Sequence, residues 1–254
     1  MVPDLALTLP LAALLAVAAF AAGALNAVAG GGSFLTFPAL VFAGLPPIAA
    51  NATGAVAVSP GYLGSTLGFR RELAALPPSR LRAEALVSAA GGLAGALLLL
   101  VTPAAWFARL VPWLLLFATA LFALAPYWLG RRPAAVAPSQ PRRLAGLAAV
   151  AVYGGYFNGG LGILLMTLYV VTGESDLNRA NALKNINSLV LSLVSVAAFA
   201  LAGAVAWGPA VLMAVAATLG GWLGADWARK LPARVLRAVV IATGVVMTVA
   251  FFLR

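Results

Sequence analysis

The stretch Asn26-Ala27-Val28-Ala29-Gly30-Gly31-Gly32-Ser33 decides how this chain folds, because it places three consecutive glycines inside a long apolar run. Each glycine in a helix interior costs about 1 kcal/mol relative to alanine, so a helix breaks here. The break exposes backbone N–H groups and starts a new helix whose N-terminal end carries partial positive charge. Both features suit an anion. The first candidate binding residues are therefore Asn26, Gly30, Gly31, Gly32 and Ser33.

A second break of the same kind occurs 130 residues later, as Asn158-Gly159-Gly160-Leu161-Gly162. An asparagine follows each break at equal distance, since Asn51 lies nineteen residues after Gly32 and Asn181 nineteen after Gly162. Close helix packing is the alternative for any one glycine pair, because glycine lets two backbones approach. Two related breaks favour a shared site. The second set of candidates is Asn51, Asn158, Gly159, Gly160, Gly162 and Asn181.

The composition around these breaks indicates a membrane protein. Of the 254 residues 63% are hydrophobic and only 9% charged, with a mean hydropathy of +1.04, whereas soluble domains carry roughly 25% charged residues. Apolar runs of about 20 residues, the length that crosses a bilayer, recur along the chain. Without the alternating pattern of a barrel strand, only helices satisfy their backbone groups in lipid. The prediction is an all-α, polytopic integral membrane protein with about eight hydrophobic segments, whose main partner is the lipid bilayer.

Charge and missing residue types exclude several functions. The net charge of +10 comes from short basic clusters between apolar runs, as the positive-inside rule produces, so nucleic acid is not an expected partner. With no Cys and no His, thiolate and imidazole metal sites and a Ser-His-Asp triad are excluded. The six Asp and Glu residues fall at or near segment ends, which disfavours a mid-membrane proton or sodium relay. We expect no metal and no cofactor. No Lys or Arg precedes Arg70, so a cleaved signal peptide is not expected either.

The chain divides into two similar halves. Residues 1–130 form an N-terminal membrane repeat, 131–143 a basic Pro/Ala linker and 144–254 a C-terminal membrane repeat. Besides the glycine breaks, Gly91-Gly92-x-x-Gly95 matches Gly220-Gly221-x-x-Gly224 at an offset of 129. An ordered series of such matches favours an internal duplication, which is characteristic of transporters.

Basic clusters indicate how the halves are oriented. The loops near 70–82 and 229–237 carry several Arg and Lys residues, whereas the corresponding loops of the other half carry one or none. This exchange favours inverted repeats, which need an odd number of crossings per half. That number results if 8–45 and 143–172 each enter the bilayer, break at their glycines and return. Eight simple spans in parallel repeats are the alternative.

The helix that starts near residue 180 carries a polar stripe. Asn181, Lys184, Asn185, Ser188, Ser192 and Ser195 fall on one arc of roughly 120°. A lysine at the centre of a membrane helix costs roughly 2.5–3.5 kcal/mol and indicates a functional site. The alternative is a lysine near the helix end that extends to the interface. Lys184, Asn185 and Ser188 join the candidate substrate-binding residues.

Two stretches resemble the TauE/SafE family of sulfite exporters and related anion permeases. They are Asn26-x-x-x-Gly-Gly-Gly-Ser33 with Pro38, and Gly154-Gly-Tyr-Phe-Asn-Gly-Gly-Leu-Gly-Ile163 followed by Asn181-Ala-Leu-Lys-Asn185. The resemblance implies a multi-pass permease of a bacterial inner membrane for sulfite, organosulfonates or similar sulfur-containing anions. Leu161 stands where the first break has Gly31, so strict equivalence of the two half-sites stays open.

These observations predict a transporter that binds a small anion between the two breaks and exposes it alternately on either side. Two alternatives stay open: a non-catalytic membrane subunit of a larger complex, and a polytopic membrane enzyme acting on lipid-borne substrates. The absence of His and Cys and the peripheral carboxylates disfavour the enzyme. The sequence is compatible with a homo-oligomer and does not specify its size.

Overall fold

The computed structural model describes residues 7–28, 32–130, 139–230 and 233–253, and within these ranges all regular structure is helical. The predicted all-α membrane fold is thereby confirmed. The helices are α1 Leu9–Val28, α2 Ser33–Phe42, α3 Pro47–Gly68, α4 Arg70–Ala74, α5 Pro78–Val101, α6 Ala104–Gly130, α7 Gln140–Tyr156, α8 Leu161–Val171, α9 Leu177–Leu201, α10 Trp207–Lys230 and α11 Ala233–Phe252.

Four of the described helices are long and apolar enough to cross a bilayer, namely α1, α5, α6 and α9. The helices that follow the two breaks, α2 and α8, have only 10 and 11 residues. They span about 15 Å at 1.5 Å per residue, roughly half of the hydrocarbon core. The linker predicted at 131–143 ends earlier than expected, because residues 140–143 belong to α7. Residues 131–138 lie outside the described ranges.

The two short helices end in the same way. Gly44 and Gly173, which follow α2 and α8, have φ angles of 96° and 98° that other residues adopt with strain. After each glycine, a backbone N–H bonds back to the last turn, from Leu45 to Leu40 O at 3.1 Å and from Glu174 to Tyr169 O at 2.9 Å. This C-terminal cap satisfies carbonyl groups that would otherwise be buried without a partner.

Each glycine break produces a helical hairpin. In the second half, Gly154 near the end of α7 faces Leu161 at the start of α8, and Gly146 faces Leu168, so the two helices are antiparallel. In the first half, Gly32 lies against the backbone of Ala22, which brings α2 back along α1. We call the residues at each reversal the hairpin tips.

The helices form two bundles, and each bundle takes one helix from the other half of the chain. Helix α10 of the second half packs in the first bundle, and α5 of the first half packs in the second. The first bundle contains α1, α2, α3 and α10, and the second contains α5, α7, α8 and α9. Glycines allow the closest contacts, because Gly23 and Gly220 bring the backbones of α1 and α10 together, and Gly95 and Gly155 do so for α5 and α7. The bundles meet where α3 packs on α9, and α6 pairs with α11 beside them.

Contacts along these pairs fix the helix directions. Gly208 at the start of α10 lies near Leu7, and Gly220 lies against Phe20, so α1 and α10 are parallel. Likewise α5 and α7 are parallel, since Gly91 faces Ala151 and Gly95 faces the end of α7.

Helices α3 and α9 are instead antiparallel. The hydroxyls of Ser59 and Ser192 are 2.6 Å apart, and Tyr62, one turn later in α3, shares a buried cluster with Leu189, one turn earlier in α9.

Short connections reverse the chain between α3 and α5 and between α9 and α10. Helices α1, α3 and α10 therefore run one way, and their counterparts α7, α9 and α5 run the other. Corresponding helices that run in opposite directions are what inverted repeats have. A shared origin of the two halves stays a prediction from sequence. We call the side where α3 ends and α5, α7 and α9 begin the basic side, after its arginines.

Glu84 is near a helix end as expected, but its side chain is fully buried. It lies in the second turn of α5 with no exposed surface, and its carboxylate pairs with Arg143 at 2.8 Å and Arg80 at 3.0 Å. Tyr169 and Asn187 donate hydrogen bonds to it from α8 and α9. The four helices of the second bundle are thus joined by one polar cluster, which an Arg and a Glu four residues apart could have indicated.

Candidate functional site

The tip of the second hairpin is held in an extended and then left-handed conformation. Phe157 leaves α7 with φ −146° and ψ 113°, and Gly160 has φ 78° immediately before α8. Every residue from 157 to 163 is buried, including Gly162 in the first turn of α8. Glycine suits the tip because a Cβ at Gly159 would collide with the Phe157 ring and a side chain at Gly160 would be strained.

Three hydroxyl groups fix this tip, two through its peptide carbonyls and one through the Asn158 side chain. Tyr153 donates a hydrogen bond to Gly159 O at 2.7 Å, and Ser33, from the other hairpin, donates to Asn158 O at 3.2 Å. Tyr62 of α3 donates to the Asn158 side-chain oxygen at 3.3 Å. The carbonyl groups are therefore occupied, and the tip is anchored to both bundles.

Several of the N–H groups of the same tip have no partner in the described part of the chain. Among the described residues, the backbone N–H groups of Asn158, Gly159, Gly160 and Gly162 make no hydrogen bond. Buried N–H groups in native proteins are nearly always paired. Several free donors at the positive end of a helix form a typical site for an anion.

The first hairpin brings a second helix start to this place. Helix α2 begins at Ser33, whose hydroxyl also lies 3.4 Å from the Asn158 side-chain oxygen, so the N-terminal ends of α2 and α8 meet. Asn26, at the end of α1, interacts with the Tyr62 hydroxyl. Gly30 and Gly31, predicted to form the centre of the site, lie outside the described residues.

A cavity of about 440 Å³ lies beside Asn26. It is bounded by α1, α3 and α10, and Gly61, Gly64 and Ser65 form its α3 wall. Small residues on three helices leave this space open, which gives a small solute room next to the first hairpin tip.

The other predicted site residues are divided between two places. Asn51 donates a hydrogen bond of 3.1 Å to Tyr156 O, so it supports the end of α7 next to the second tip. The α9 candidates do not bond to the tips among the described residues; they are Asn181, Lys184, Asn185 and Ser188. Glu174, ten residues before Lys184 in the chain, pairs with Arg80 at 3.1 Å.

Two tyrosines of the site were not among the predicted binding residues. Tyr62 shares a helix face with Asn51, so its position could have indicated a site residue. Tyr153 lies in an apolar helix, and nothing in the surrounding sequence indicates a site role. Their hydroxyls reach the tip only because the chain reverses after Phe157.

Comparison with known proteins shows the family. The model of the sulfite exporter TauE/SafE family matches residues 15–251. The chain is 27% identical over 239 residues to a probable membrane transporter protein, ORF9, of Sinorhizobium sp, which covers 94% of this chain and 91% of the relative. It is 27% identical to the probable membrane transporter YfcA of Escherichia coli K12, over 91% of this chain and 85% of the relative. A probable membrane transporter of Haemophilus influenzae is 28% identical, over 94% and 93% of the two chains.

No solved structure gives a significant match to the chain. The family model nevertheless covers nearly its full length, and the relatives are named as membrane transporters over comparable lengths. The protein is therefore a multi-pass membrane protein of the sulfite exporter TauE/SafE family of transporters.

Proposed function

We propose that this protein carries small anions, sulfite and related sulfur oxyanions foremost, and binds them between the tips of its two hairpins. The observation that carries the proposal is the set of buried N–H groups at Asn158, Gly159, Gly160 and Gly162, which bond to none of the described residues and lie next to the start of α2 at Ser33. Each helix start is equivalent to roughly half a positive charge. Two such ends with several donors can replace part of the hydration shell of an anion.

The chemistry of an oxyanion matches this donor arrangement. Sulfite presents three oxygen acceptors, and hydrogen bonds to charged groups contribute about 1.5–3 kcal/mol each. A monatomic anion or a neutral solute would leave more of the separately placed donors unused. The description of the matching family as sulfite exporters supports the same class of cargo.

The placement of the two tips in different bundles supports alternating access as the mechanism. The first tip is part of the bundle of α1, α2, α3 and α10, and the second tip is part of the bundle of α5, α7, α8 and α9. A cargo between them contacts both bundles. Movement of one bundle against the other at the α3–α9 contact would then open the site to one side or the other.

The test uses purified protein in liposomes and compares Ser33→Asp with Ser139→Asp. Both place a carboxylate at a helix start, where negative charge is tolerated. Ser33 is at the tips, whereas Ser139 precedes α7 at the basic side and makes no cap bond. We expect wild type and Ser139→Asp to move sulfite, and Ser33→Asp to insert normally but lose at least tenfold in rate, because its carboxylate repels the anion.

Two results would overturn the proposal. The first is an absence of sulfite, sulfate, thiosulfate or sulfonate flux from wild-type liposomes. The second is a Ser33→Asp protein that moves the anion as fast as the Ser139→Asp protein, which would place the anion elsewhere.

A further inference from the structure

The polar stripe of α9 has two parts that differ in their partners. Its deeper residues are bonded to protein, since the Ser192 hydroxyl lies 2.6 Å from that of Ser59 and Ser195 donates to Gly92 O at 3.1 Å. These bonds join α9 to α3 and α5. The deeper part of the stripe is thus explained by helix packing.

The part nearer the basic side has no such explanation. Among the described residues, no hydrogen-bond or ion-pair partner is found for the side chains of Asn181, Lys184, Asn185 and Ser188. Asn185 and Ser188 are only 4% and 0% exposed. Leaving a buried polar group unbonded costs about 1–3 kcal/mol, so the fully buried Ser188 hydroxyl points to a ligand, which Asn185 and the partly buried Asn181 and Lys184 can also reach from the same face.

The charges around Lys184 show which sign this ligand has. Both carboxylates of the nearby polar cluster are already neutralised, because Glu84 pairs with Arg80 and Arg143, and Glu174 pairs with Arg80. Asp176, at the start of α9, pairs with Arg179 at 3.6 Å. No described carboxylate lies within 4.0 Å of the Lys184 ammonium. The face therefore carries an unbalanced positive charge together with neutral donors, which suits an anion.

The opposing helix adds a further donor. Ser59 lies opposite Ser192, and α3 and α9 are antiparallel. Thr66, seven residues after Ser59, is therefore opposite Asn185, seven residues before Ser192. The Thr66 hydroxyl is also buried without a hydrogen-bond partner in the described part of the chain. Thr66 is one turn beyond Tyr62, which reaches Asn158 at the hairpin tip. The group thus lies between the basic side and the tips.

We propose that Lys184, Asn181, Asn185 and Ser188, with Thr66 facing them, form a second anion site through which the cargo passes between the basic side and the hairpin tips. The proposal rests on the proposed function only for the identity of the cargo as a small oxyanion. Lys184 is the eighth residue of α9, about 10 Å from the helix start at 1.5 Å per residue. The ammonium is thus well placed to receive an anion from the basic side before the neutral donors of the tips.

The experiment counts bound sulfite by isothermal titration of the purified full-length protein. At sulfite concentrations that just fill both sites of wild type, wild type should bind two ions, and Lys184→Gln and Ser33→Asp should each bind one, because each weakens a different site. The double variant should bind none. Lys184→Gln should weaken the affected site at least tenfold, which is about 1.4 kcal/mol, while Lys184→Arg keeps a positive charge and should retain two sites.

Matched variants separate this loss from a general effect of charge or folding. Lys230→Gln removes the only other lysine of the chain, and Ser195→Ala removes a stripe hydroxyl that is bonded to protein. Both should bind two ions, whereas Ser188→Ala should weaken the second site.

The outcomes distinguish the two proposals. If Ser33→Asp removes all binding and Lys184→Gln removes none, the second site is refuted and the tip site stands. If Lys184→Gln removes all binding and Ser33→Asp none, the tip site is refuted and the α9 site stands. A wild-type protein that binds no sulfite, sulfate or thiosulfate refutes both.

Discussion

The hydroxyl of Ser33 donates a hydrogen bond of 3.2 Å to the backbone carbonyl of Asn158, so the tips of two hairpins touch although 125 residues separate them in the chain. Ser33 begins α2 in one bundle, and Asn158 precedes α8 in the other. The contact therefore aligns the positive ends of two short helices, one from each half. An anion placed there would be held by both bundles.

The left-handed backbone at Gly160 is expected to be required for transport. Gly160→Ala places a side chain at φ 78°, which costs about 1–2 kcal/mol and turns the peptide away from its present direction. Gly203→Ala is the matched control, because Gly203 has φ 65° and open space around it. Both proteins should lose thermal stability in detergent, Gly160→Ala more because its Cβ would also lie 3.2 Å from that of Ala118, but only Gly160→Ala should lose sulfite flux. Equal flux in the two variants would show that the tip backbone does not bind the cargo.

Movement at the α3–α9 contact can be tested by a reversible cross-link. The hydroxyls of Ser59 and Ser192 are 2.6 Å apart, and the chain has no cysteine of its own. The double variant Ser59→Cys/Ser192→Cys should lose sulfite flux on oxidation and regain it on reduction. Each single variant should be insensitive to both treatments. Full flux from the fully cross-linked protein would mean that the bundles do not move against each other here.

The polar cluster around Glu84 is expected to stabilise the second bundle. Glu84→Gln leaves Arg143 and Arg80 without their buried partner, and breaking such a pair typically costs about 3–5 kcal/mol. The comparison is Asp176→Asn, whose carboxylate is 47% exposed and pairs with Arg179 at 3.6 Å. An exposed pair contributes about 0–1 kcal/mol. Chemical unfolding in detergent should separate the two variants by at least 2 kcal/mol. Equal stabilities would assign the cluster no structural role.

The basic side is expected to face the cytoplasm. Ser79→Cys near the start of α5 and Ala233→Cys at the start of α11 should be protected together from an impermeant thiol reagent added to intact cells. Ala104→Cys, at the start of α6 and at the opposite end of α5, should react. Reaction of only one of the first two positions would contradict the helix directions and support simple parallel spans.

Much of the fold can be predicted from the sequence, because the bilayer restricts which secondary structures the chain can adopt. A chain with so few charges must be helical wherever it contacts lipid, and the glycines and prolines then mark where helices end. This reasoning locates the breaks before Ser33 and Leu161, and it anticipates that Asn158 and the neighbouring glycines lie together. The breaks are local events, so local composition is sufficient to predict them.

Which helices contact each other across long sequence distances is decided only by tertiary packing. The sequence shows that Gly23, Gly95 and Gly220 are small, but which backbones approach each other depends on how the bundles exchange α5 and α10. The same packing turns Glu84 into a buried ion pair.

The placement of the site residues depends on packing as well. It brings Tyr62 to the hairpin tip and keeps Lys184 out of hydrogen-bond contact with it. Helical periodicity assigns Lys184 to a polar face but contains no information about what that face meets. Periodicity is a property of one helix, whereas the proposed anion sites depend on helices more than a hundred residues apart.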